Sequence, residues 1–137
     1  MKIEVTNNRN IWEKEYVYQK VQDYNQMFFE KAGFKDIGIY IKNEKDEMIA
    51  GLTGVLRGKW LLIQSLWVRE DLRRQNIGSD ILKKAEVEAK KYGCKHILLD
   101  TFEFQAPKFY KKKGFKEVFV YEEHPITGKH YYLSKDL

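Results

Sequence analysis

The segment from Leu72 to Ser79 carries two adjacent arginines and small residues directly before a stretch with helical apolar spacing. Arg73 and Arg74 provide fixed positive charge and directional N–H donors, which match phosphate oxygens. A helix N-terminus adds unpaired backbone N–H groups and partial positive charge, and Gly78 lets an anion approach that backbone closely. These features predict a pyrophosphate-binding site. A simple turn with solvated arginines explains the same residues, and this segment alone does not separate the two interpretations.

The elements that would position this segment follow from the apolar pattern on either side of it. Residues 60–68 form a near-continuous apolar run, which predicts a central strand. Residues 77–92 predict the clearest helix, because apolar side chains recur at helical spacing and Gly93 follows as a stop signal. The segment therefore lies between a buried strand and a helix N-terminus. The apolar stripe of this helix consists of Ile77, Ile81, Ala85, Ala89 and Tyr92.

The remaining patterns predict helices over residues 11–31 and 107–113, with Asn10 as the cap of the first helix and Gly33 at its end. Strands are predicted at 36–42, 48–57, 96–102, 117–123 and 131–134, with Lys2–Val5 as an optional short first strand. The order α-β-β-β-α-β-α-β-β predicts an α/β fold with a mixed central β-sheet flanked by helices. Since the sequence shows neither an internal repeat nor a linker, we expect a single domain over residues 1–137.

Composition and charge narrow the class of protein. The chain has 137 residues, 43% of them apolar, so it can bury a core without disulfides. The single cysteine, Cys94, and the lack of a long apolar run or a signal-like N-terminus predict a soluble cytoplasmic protein without a membrane partner. The net charge of +5 favours a polyanionic partner, which fits either a nucleotide cofactor or a nucleic acid.

Two motifs resemble those of the GCN5-related N-acetyltransferases (GNAT). Residues 73–78 are similar to the family's Gln/Arg-x-x-Gly-x-Gly/Ala, with Asn76 where the first Gly is usual. Residues 103–115 are similar to Asn-x-x-Ala-x-x-φ-Tyr-x-x-x-Gly-Phe, where φ is apolar, with Glu103 in place of the Asn. The resemblance spans about residues 36–137, and the C-terminal part looks like a bacterial branch of small members. The residues that match the second motif are Ala106, Phe109, Tyr110, Gly114 and Phe115.

The resemblance implies a single-domain acyl-CoA N-acyltransferase fold and an enzyme that transfers the acetyl group of acetyl-CoA to an amine by direct attack. It implies that the backbone of the 66–68 strand holds the pantetheine arm and that residues 73–79 bind the pyrophosphate. It also implies that Tyr110 protonates the leaving thiolate, and Gln105 is a candidate to replace the contact altered at Glu103. The cofactor-binding residues are thus expected to be Leu66, Trp67, Val68, Arg73, Arg74, Gln75, Asn76, Ile77, Gly78, Ser79, Gln105 and Tyr110.

The general base is left open by the sequence. Asp100 ends a central strand and Glu103 lies close to it, so both are candidate catalytic residues. Glu122, Glu123 and His124 could reach the site from the last hairpin, and a water chain could also take the proton.

We expect no metal, because Cys94, His96, His124 and His130 are too scattered to be ligands. The lysines of the predicted helix at residues 107–113 are either a solvated face or a contact for the 3′-phosphate of CoA: Lys108, Lys111, Lys112 and Lys113.

The acceptor is also left open. A small-molecule amine is the preferred acceptor, and a protein lysine or N-terminus is the alternative. Residues 25–34 and the last hairpin are expected to form the acceptor pocket.

Two non-catalytic functions are alternatives to acetyl transfer. Asn76 and Glu103 favour a CoA-binding regulatory domain, whereas the basic excess allows a nucleic-acid binder. We expect no nucleic-acid partner, because the basic residues are interleaved with acidic ones. A monomer and a homodimer are equally compatible with the sequence.

Overall fold

The computed structural model describes residues 1–9, 11–29 and 33–137. It divides into two compact units, Met1–Ala32 and Gly33–Leu137, and each is described by itself. In the first unit, helix α1 spans Trp12–Gln26, so it ends before the predicted boundary at residue 31. The predicted cap, Asn10, lies outside the described residues. Lys2–Val5 is not a strand, because a strand needs a partner for its backbone groups and this segment pairs with none in the described ranges.

Aromatic side chains one helical turn apart contact each other along α1. Trp12 stacks on Tyr16 with ring centroids 5.6 Å apart, and Tyr24 lies 5.1 Å from Phe28 just beyond the helix. These pairs follow the i, i+4 spacing of a helix surface, where such contacts stabilise the helix itself. The predicted helical period of this segment is therefore confirmed for α1.

The second unit contains the predicted order of strands and helices. The strands are β1 Phe34–Lys42, β2 Met48–Arg57, β3 Trp60–Val68, β4 His96–Phe102, β5 Lys116–Glu122 and β6 Lys129–Asp136. The helices are α2 Ile77–Lys91 and α3 Pro107–Lys112. A short 3-10 helix at Glu70–Leu72, which the apolar pattern did not indicate, links β3 to the loop before α2.

The strands form one mixed sheet in the order β1-β2-β3-β4-β6-β5. The pairing of β3 with β4 is parallel, and the remaining neighbours are antiparallel. β3 is an interior strand, as its continuous apolar run predicted. The α/β fold with a mixed central sheet is confirmed. Helix α2 connects the two parallel strands, as a parallel crossover requires, and packs against β1, β2 and β3.

The sheet opens between β3 and β4. Their parallel register consists of Trp60 with His96, Leu61 with Ile97 and Leu62 with Leu98. Beyond these pairs β3 continues to Val68 along β2, while β4 continues to Phe102 along β6. The two halves of the sheet therefore separate at the carboxyl ends of β3 and β4, which leaves backbone groups of β3 free to bind a ligand.

A bulge sets which side chains of β3 face this opening. The register between β2 and β3 shifts at Gln64, which has no counterpart in β2. One extra residue reverses the alternation of a strand, so Leu66 and Val68 lie on the same face as Leu61 and Ile63. Both Leu66 and Val68 pack against the hydrophobic core, and this core supports the wall of the site described below.

Candidate functional site

A cleft of about 900 Å³ lies at the opening between β3 and β4. Its walls come from the end of β3, the loop and first turn of α2, the loop after β4, and α3. We call it the main cleft. It is lined by Leu66, Trp67, Val68, Leu72, Arg73, Arg74, Asn76, Ile77, Gly78, Ser79, Phe104, Gln105, Ala106, Phe109, Tyr110, Lys112 and Lys113.

The structure therefore brings together almost every residue predicted to bind the cofactor. Gln75 is the exception, because it is exposed and does not line the main cleft. Asp100 and Glu103, the predicted acid–base candidates, also lie outside the lining. Phe104, a cleft residue, was missed because it falls at a variable position of the second motif.

The first turn of α2 is open toward the main cleft. Asn76 is the N-cap and adopts a left-handed backbone conformation with φ 64°, which Asn tolerates better than most residues. Its side chain makes no capping hydrogen bond within the described residues, and its carbonyl accepts the N–H of Asp80 at 2.9 Å. The backbone N–H groups of the residues between them have no acceptor in the preceding turn. Ile77, Gly78 and Ser79 therefore present donors where the helix dipole is positive.

The two arginines of the loop have different roles. Arg73 donates a hydrogen bond from Nε to the carbonyl oxygen of Val68 at 3.0 Å, which ties the loop to the end of β3. Arg74 is exposed, with φ 65°, and has no ion-pair partner in the part of the chain that the structure describes. Its guanidinium is therefore available for an anion in the main cleft.

Tyr110 is a buried residue that lines the main cleft. Its ring packs edge-to-face on Phe109 and Phe115, with centroids 5.2 Å and 5.6 Å away, and the residue is 8% exposed. Burial, with a smaller contribution from the negative charge of Asp100, raises the pKa of Tyr110 to about 12. The phenol therefore keeps its proton at neutral pH and can donate a hydrogen bond to a bound ligand.

Gln105 shapes the turn from β4 into α3. Its side-chain oxygen accepts the backbone N–H of Phe102 at 2.7 Å, while Thr101 Oγ1 accepts the N–H of Ala106 at 3.3 Å. The amide oxygen of Gln105 is thus used inside the turn, and its NH₂ group is the part left to contact a ligand.

Glu103 holds the start of β6. Its Oε2 atom accepts the backbone N–H of Lys129 at 3.0 Å, and its own N–H donates to the Lys129 carbonyl at 2.9 Å. These bonds give the Glu103 side chain a structural task outside the main cleft. Its predicted catalytic role stays a prediction.

Asp100 is paired with a histidine that the sequence analysis considered only as a metal ligand. Asp100 Oδ2 lies 2.8 Å from Nε2 of His130, and the two side chains are 46% and 6% exposed. The antiparallel register of β4 and β6 places them together, since Phe102 is opposite His130 and Asp100 is two residues further along β4. This pair is separated by thirty positions, so only knowledge of the strand pairing could have found it.

The lysines of α3 and its end are divided between two environments. Lys112 and Lys113 line the main cleft. Lys111 forms an ion pair with Glu117 and lies 5.2 Å from the ring centroid of Tyr131, and Lys108 is exposed outside the lining. Lys112 and Lys113 are therefore the two that can reach a bound anion.

Among the residues that the structure describes, no group of three or more His, Cys, Asp or Glu side chains is arranged to hold a metal ion. Among residues 1–9, 11–29 and 33–137, no helix has the length and hydropathy that a transmembrane helix needs.

Comparison with known proteins identifies relatives of the chain. It matches the model of the Acetyltransferase (GNAT) family over residues 5–115. It is 35% identical to an acetyltransferase of Agrobacterium fabrum strain C58 over 69% of each chain, and 31% identical to blasticidin-S acetyltransferase of Streptomyces morookaense over 72% of this chain and 73% of the relative. The crystal structure of an acetyltransferase from Bacillus cereus ATCC 14579 is 37% identical, covers 98% of both chains and superimposes with a TM-score of 0.85.

The main cleft has the donors that an acetyl-CoA molecule needs. The open first turn of α2 and the free Arg74 suit a pyrophosphate, and a volume of about 900 Å³ accommodates a long flexible ligand. These observations agree with the family match and with the relatives. The chain belongs to the GNAT family of acetyltransferases and is an acetyl-CoA-dependent N-acetyltransferase.

Proposed function

We propose that the enzyme acetylates the amine of a small molecule by direct attack on the thioester, with the donor held in the main cleft. The observation that carries the proposal is that Tyr110 and the first turn of α2 line the same cleft. One cleft therefore offers a donor suited to a thiolate leaving group and a binding site suited to a pyrophosphate.

The residues of the main cleft divide into three functions on the donor side. The backbone of Leu66–Val68 is assigned to the pantetheine arm, because this end of β3 has separated from β4. The first turn of α2 and Arg74 bind the pyrophosphate, and Arg73 keeps the loop in place through Val68. Gln105 is assigned a peripheral contact in the cleft, and Gln75, which lies outside the lining, is assigned a peripheral contact beside it. Acetyl-CoA supplies the thioester carbonyl that the amine attacks.

Tyr110 is assigned to the leaving sulfur. Its pKa of about 12 exceeds the ordinary thiol value of about 8.5, so a full proton transfer from phenol to thiolate is uphill. The phenol can still stabilise the developing negative charge by donating a hydrogen bond. We therefore refine the expected role of Tyr110 from proton donor to hydrogen-bond donor, with the thiolate later protonated from solvent.

A small-molecule amine is the proposed acceptor. Support comes from the relative named blasticidin-S acetyltransferase, which is 31% identical over most of both chains. A protein lysine or N-terminus is the alternative acceptor. The predicted acceptor segment, residues 25–34, includes residues 30–32, which lie outside the described residues.

Three wider assignments also stay proposals. We propose that residues 1–137 act as one N-acetyltransferase domain. A cytoplasmic location is proposed because the single cysteine, Cys94, is a free buried thiol, as expected in a reducing compartment. A monomer or a homodimer is proposed for the assembly.

The test starts with calorimetric titration of acetyl-CoA, with dephospho-CoA in parallel. We expect saturable binding at one site with a Kd below about 100 μM. Thiol release is then measured with an amine panel of blasticidin S, tyramine, spermidine and lysine methyl ester, and with an N-terminal peptide. Turnover of a panel amine supports the proposal. Turnover of the peptide alone favours the protein acceptor, and binding without any turnover favours the regulatory CoA-binding domain.

A further inference from the structure

The ring of His130 is fixed in one orientation by its neighbours. It stacks on Phe102 and His124, with centroids 4.4 Å and 4.8 Å away and interplanar angles of 16° and 18°. Tyr132 borders the ring with a centroid distance of 5.0 Å. These stacked contacts hold the plane of the imidazole, and the contact with Asp100 fixes the direction of the Nε2–H bond within that plane.

That bond is directed at one oxygen of Asp100. Since a carboxylate only accepts hydrogen bonds, Nε2 carries the proton of the 2.8 Å contact. The Asp100 carboxylate is thereby held by Oδ2, and Oδ1 makes no hydrogen bond within the described residues. Asp100 is half exposed, whereas His130 is almost fully buried, so a ligand can reach the carboxylate and not the imidazole.

The second ring nitrogen of His130, Nδ1, indicates that this histidine does more than fill space in the aromatic stack. Nδ1 is buried and has no hydrogen-bond partner in the described part of the chain. An unpartnered buried nitrogen is unfavourable, and a phenylalanine of similar shape would stack on the same neighbours without that cost. The polar ring therefore contributes something that stacking alone does not, and its hydrogen bond to Asp100 is the contact that provides it.

The pair also lies close to the reacting end of the main cleft. The negative charge of Asp100 acts on Tyr110, which lines the cleft. Phe104 connects the two regions as well, because it lines the cleft and stacks on Phe102 at 5.5 Å. These contacts join the main cleft to the Asp100–His130 pair, and Asp100 is near enough to Tyr110 for its charge to act on that phenol.

We propose that His130 is a positioning residue that holds the Asp100 carboxylate as the proton acceptor of the transfer. This inference rests on the proposed function. The amine nitrogen forms a bond to the acetyl carbon, and the C–S bond breaks with its electron pair left on sulfur. One N–H proton of the nitrogen passes to Oδ1 of Asp100, which later releases it to solvent. Asp100 touches the substrate, and His130 acts through Asp100.

The full-length chain is tested by steady-state kinetics with acetyl-CoA and the best amine of the panel defined above. His130→Phe keeps the stacking and removes the donor, so we expect kcat to fall about 30-fold, with the KM for amine and the Kd for acetyl-CoA within about twofold of wild type. His130→Gln restores an N–H donor at the position of Nε2 and should recover kcat to within about fivefold of wild type.

His96→Phe is the matched control, because His96 forms the other histidine–aspartate contact between β4 and β6, with Asp136 at 2.7 Å. We expect its kcat to equal that of wild type. An independent readout on wild-type protein is the ¹H–¹⁵N spectrum of the imidazoles, which should show His130 protonated at Nε2. That readout does not depend on the stability of any variant.

The outcomes separate this inference from the proposed function. If the wild type acetylates an amine and His130→Phe is as fast, or if His130 carries its proton on Nδ1, the positioning role is overturned while the function stands. An equal loss in His130→Gln and His130→Phe also overturns it, since restoring the N–H donor would then not restore the rate. A wild type that acetylates no amine overturns the proposed function, and this inference falls with it.

Discussion

Two histidine–aspartate pairs join strands β4 and β6, one near each end of their ladder. Asp100 contacts His130 at 2.8 Å beside the main cleft, and His96 contacts Asp136 at 2.7 Å at the opposite end. In the first pair the histidine is 6% exposed and the aspartate 46% exposed. In the second pair the values are 33% and 89%.

The difference between the pairs is one of placement. His96 rests on Trp60 with a ring distance of 4.5 Å, at the end of the sheet where β3 and β4 are still paired. His130 lies where those strands have separated, and the charge of its aspartate acts on Tyr110. The same two residue types thus form an exposed surface contact in one place and part of the proposed reacting site in the other. On this proposal, the pair beside the opening in the sheet takes part in the reaction and the pair at the opposite end does not.

Replacing the aspartate of each pair should produce the largest difference in kcat between the two pairs. We expect Asp100→Asn to lower kcat about 100-fold, because the amide cannot accept the amine proton. Asp136→Asn should leave kcat within about twofold of wild type. Steady-state kinetics and calorimetry with acetyl-CoA measure both variants. Equal kinetics for the two would remove the functional distinction between the pairs.

A second prediction concerns Tyr110, which the charge of Asp100 affects and which is proposed to contact the leaving sulfur. Tyr110→Phe should lower kcat about 30-fold, because the leaving sulfur loses a hydrogen-bond donor, and the Kd for acetyl-CoA should change little. Tyr92→Phe is a matched control, since Tyr92 is exposed at the end of α2. A wild-type rate in Tyr110→Phe would show that the sulfur needs no donor from this residue.

The protonation of Tyr110 gives a pH test of the same site. The folded chain holds the pKa at about 12, above the ordinary value of about 10 for an unfolded chain. Between these values the folded chain keeps a proton that the unfolded chain releases, so the free energy of unfolding falls as pH rises through this window. Tyrosinate absorbance should show one group that titrates near pH 12 in wild type and is missing in Tyr110→Phe. A difference spectrum that titrates near pH 10 would contradict the buried environment.

Two arginines that precede α2 allow a second matched comparison, for which we expect a smaller effect, on the affinity for acetyl-CoA. Arg74 is free at the mouth of the main cleft, whereas Arg69 donates to Asp71 at 2.6 Å. We expect Arg74→Ala to weaken acetyl-CoA binding about tenfold with little change in kcat, and Arg69→Ala to bind as wild type does. Calorimetry at two salt concentrations measures both. Similar affinities for the two variants would mean that Arg74 does not contact the pyrophosphate.

The smallest expected effect concerns lysines of one short segment. Lys112 and Lys113 line the main cleft and Lys108 does not. If the cleft lysines contact the 3′-phosphate, the double change to Ala should weaken CoA binding about fivefold, leave dephospho-CoA binding unchanged, and contrast with a neutral Lys108→Ala. An equal loss for CoA and dephospho-CoA would place these lysines elsewhere on the ligand.

Features that depend on a short stretch of chain could be predicted from the sequence. The bounds of β2, β3 and β4 were predicted as observed, because each is an apolar run closed by turn residues. The loop of residues 73–79, which is proposed to bind an anion, was recognised for the same reason, since a strand end, a left-handed residue and a helix N-terminus follow one another closely in the chain. The order of elements and the family follow from such local patterns.

Only the tertiary structure decided which distant groups meet. The bulge at Gln64 places Leu66 and Val68 on the face of β3 that packs against the core, and a strand predicted from its apolar run alone does not reveal it. Asp100 and His130 meet through the register of β4 with β6, and Glu103 proved to be bonded to the backbone of Lys129. Strand pairing depends on packing over the whole sheet, where a shift of one residue would turn every side chain to the other face. The proposed donor side of the site therefore follows from local sequence, whereas the proposed Asp100–His130 side depends on the fold.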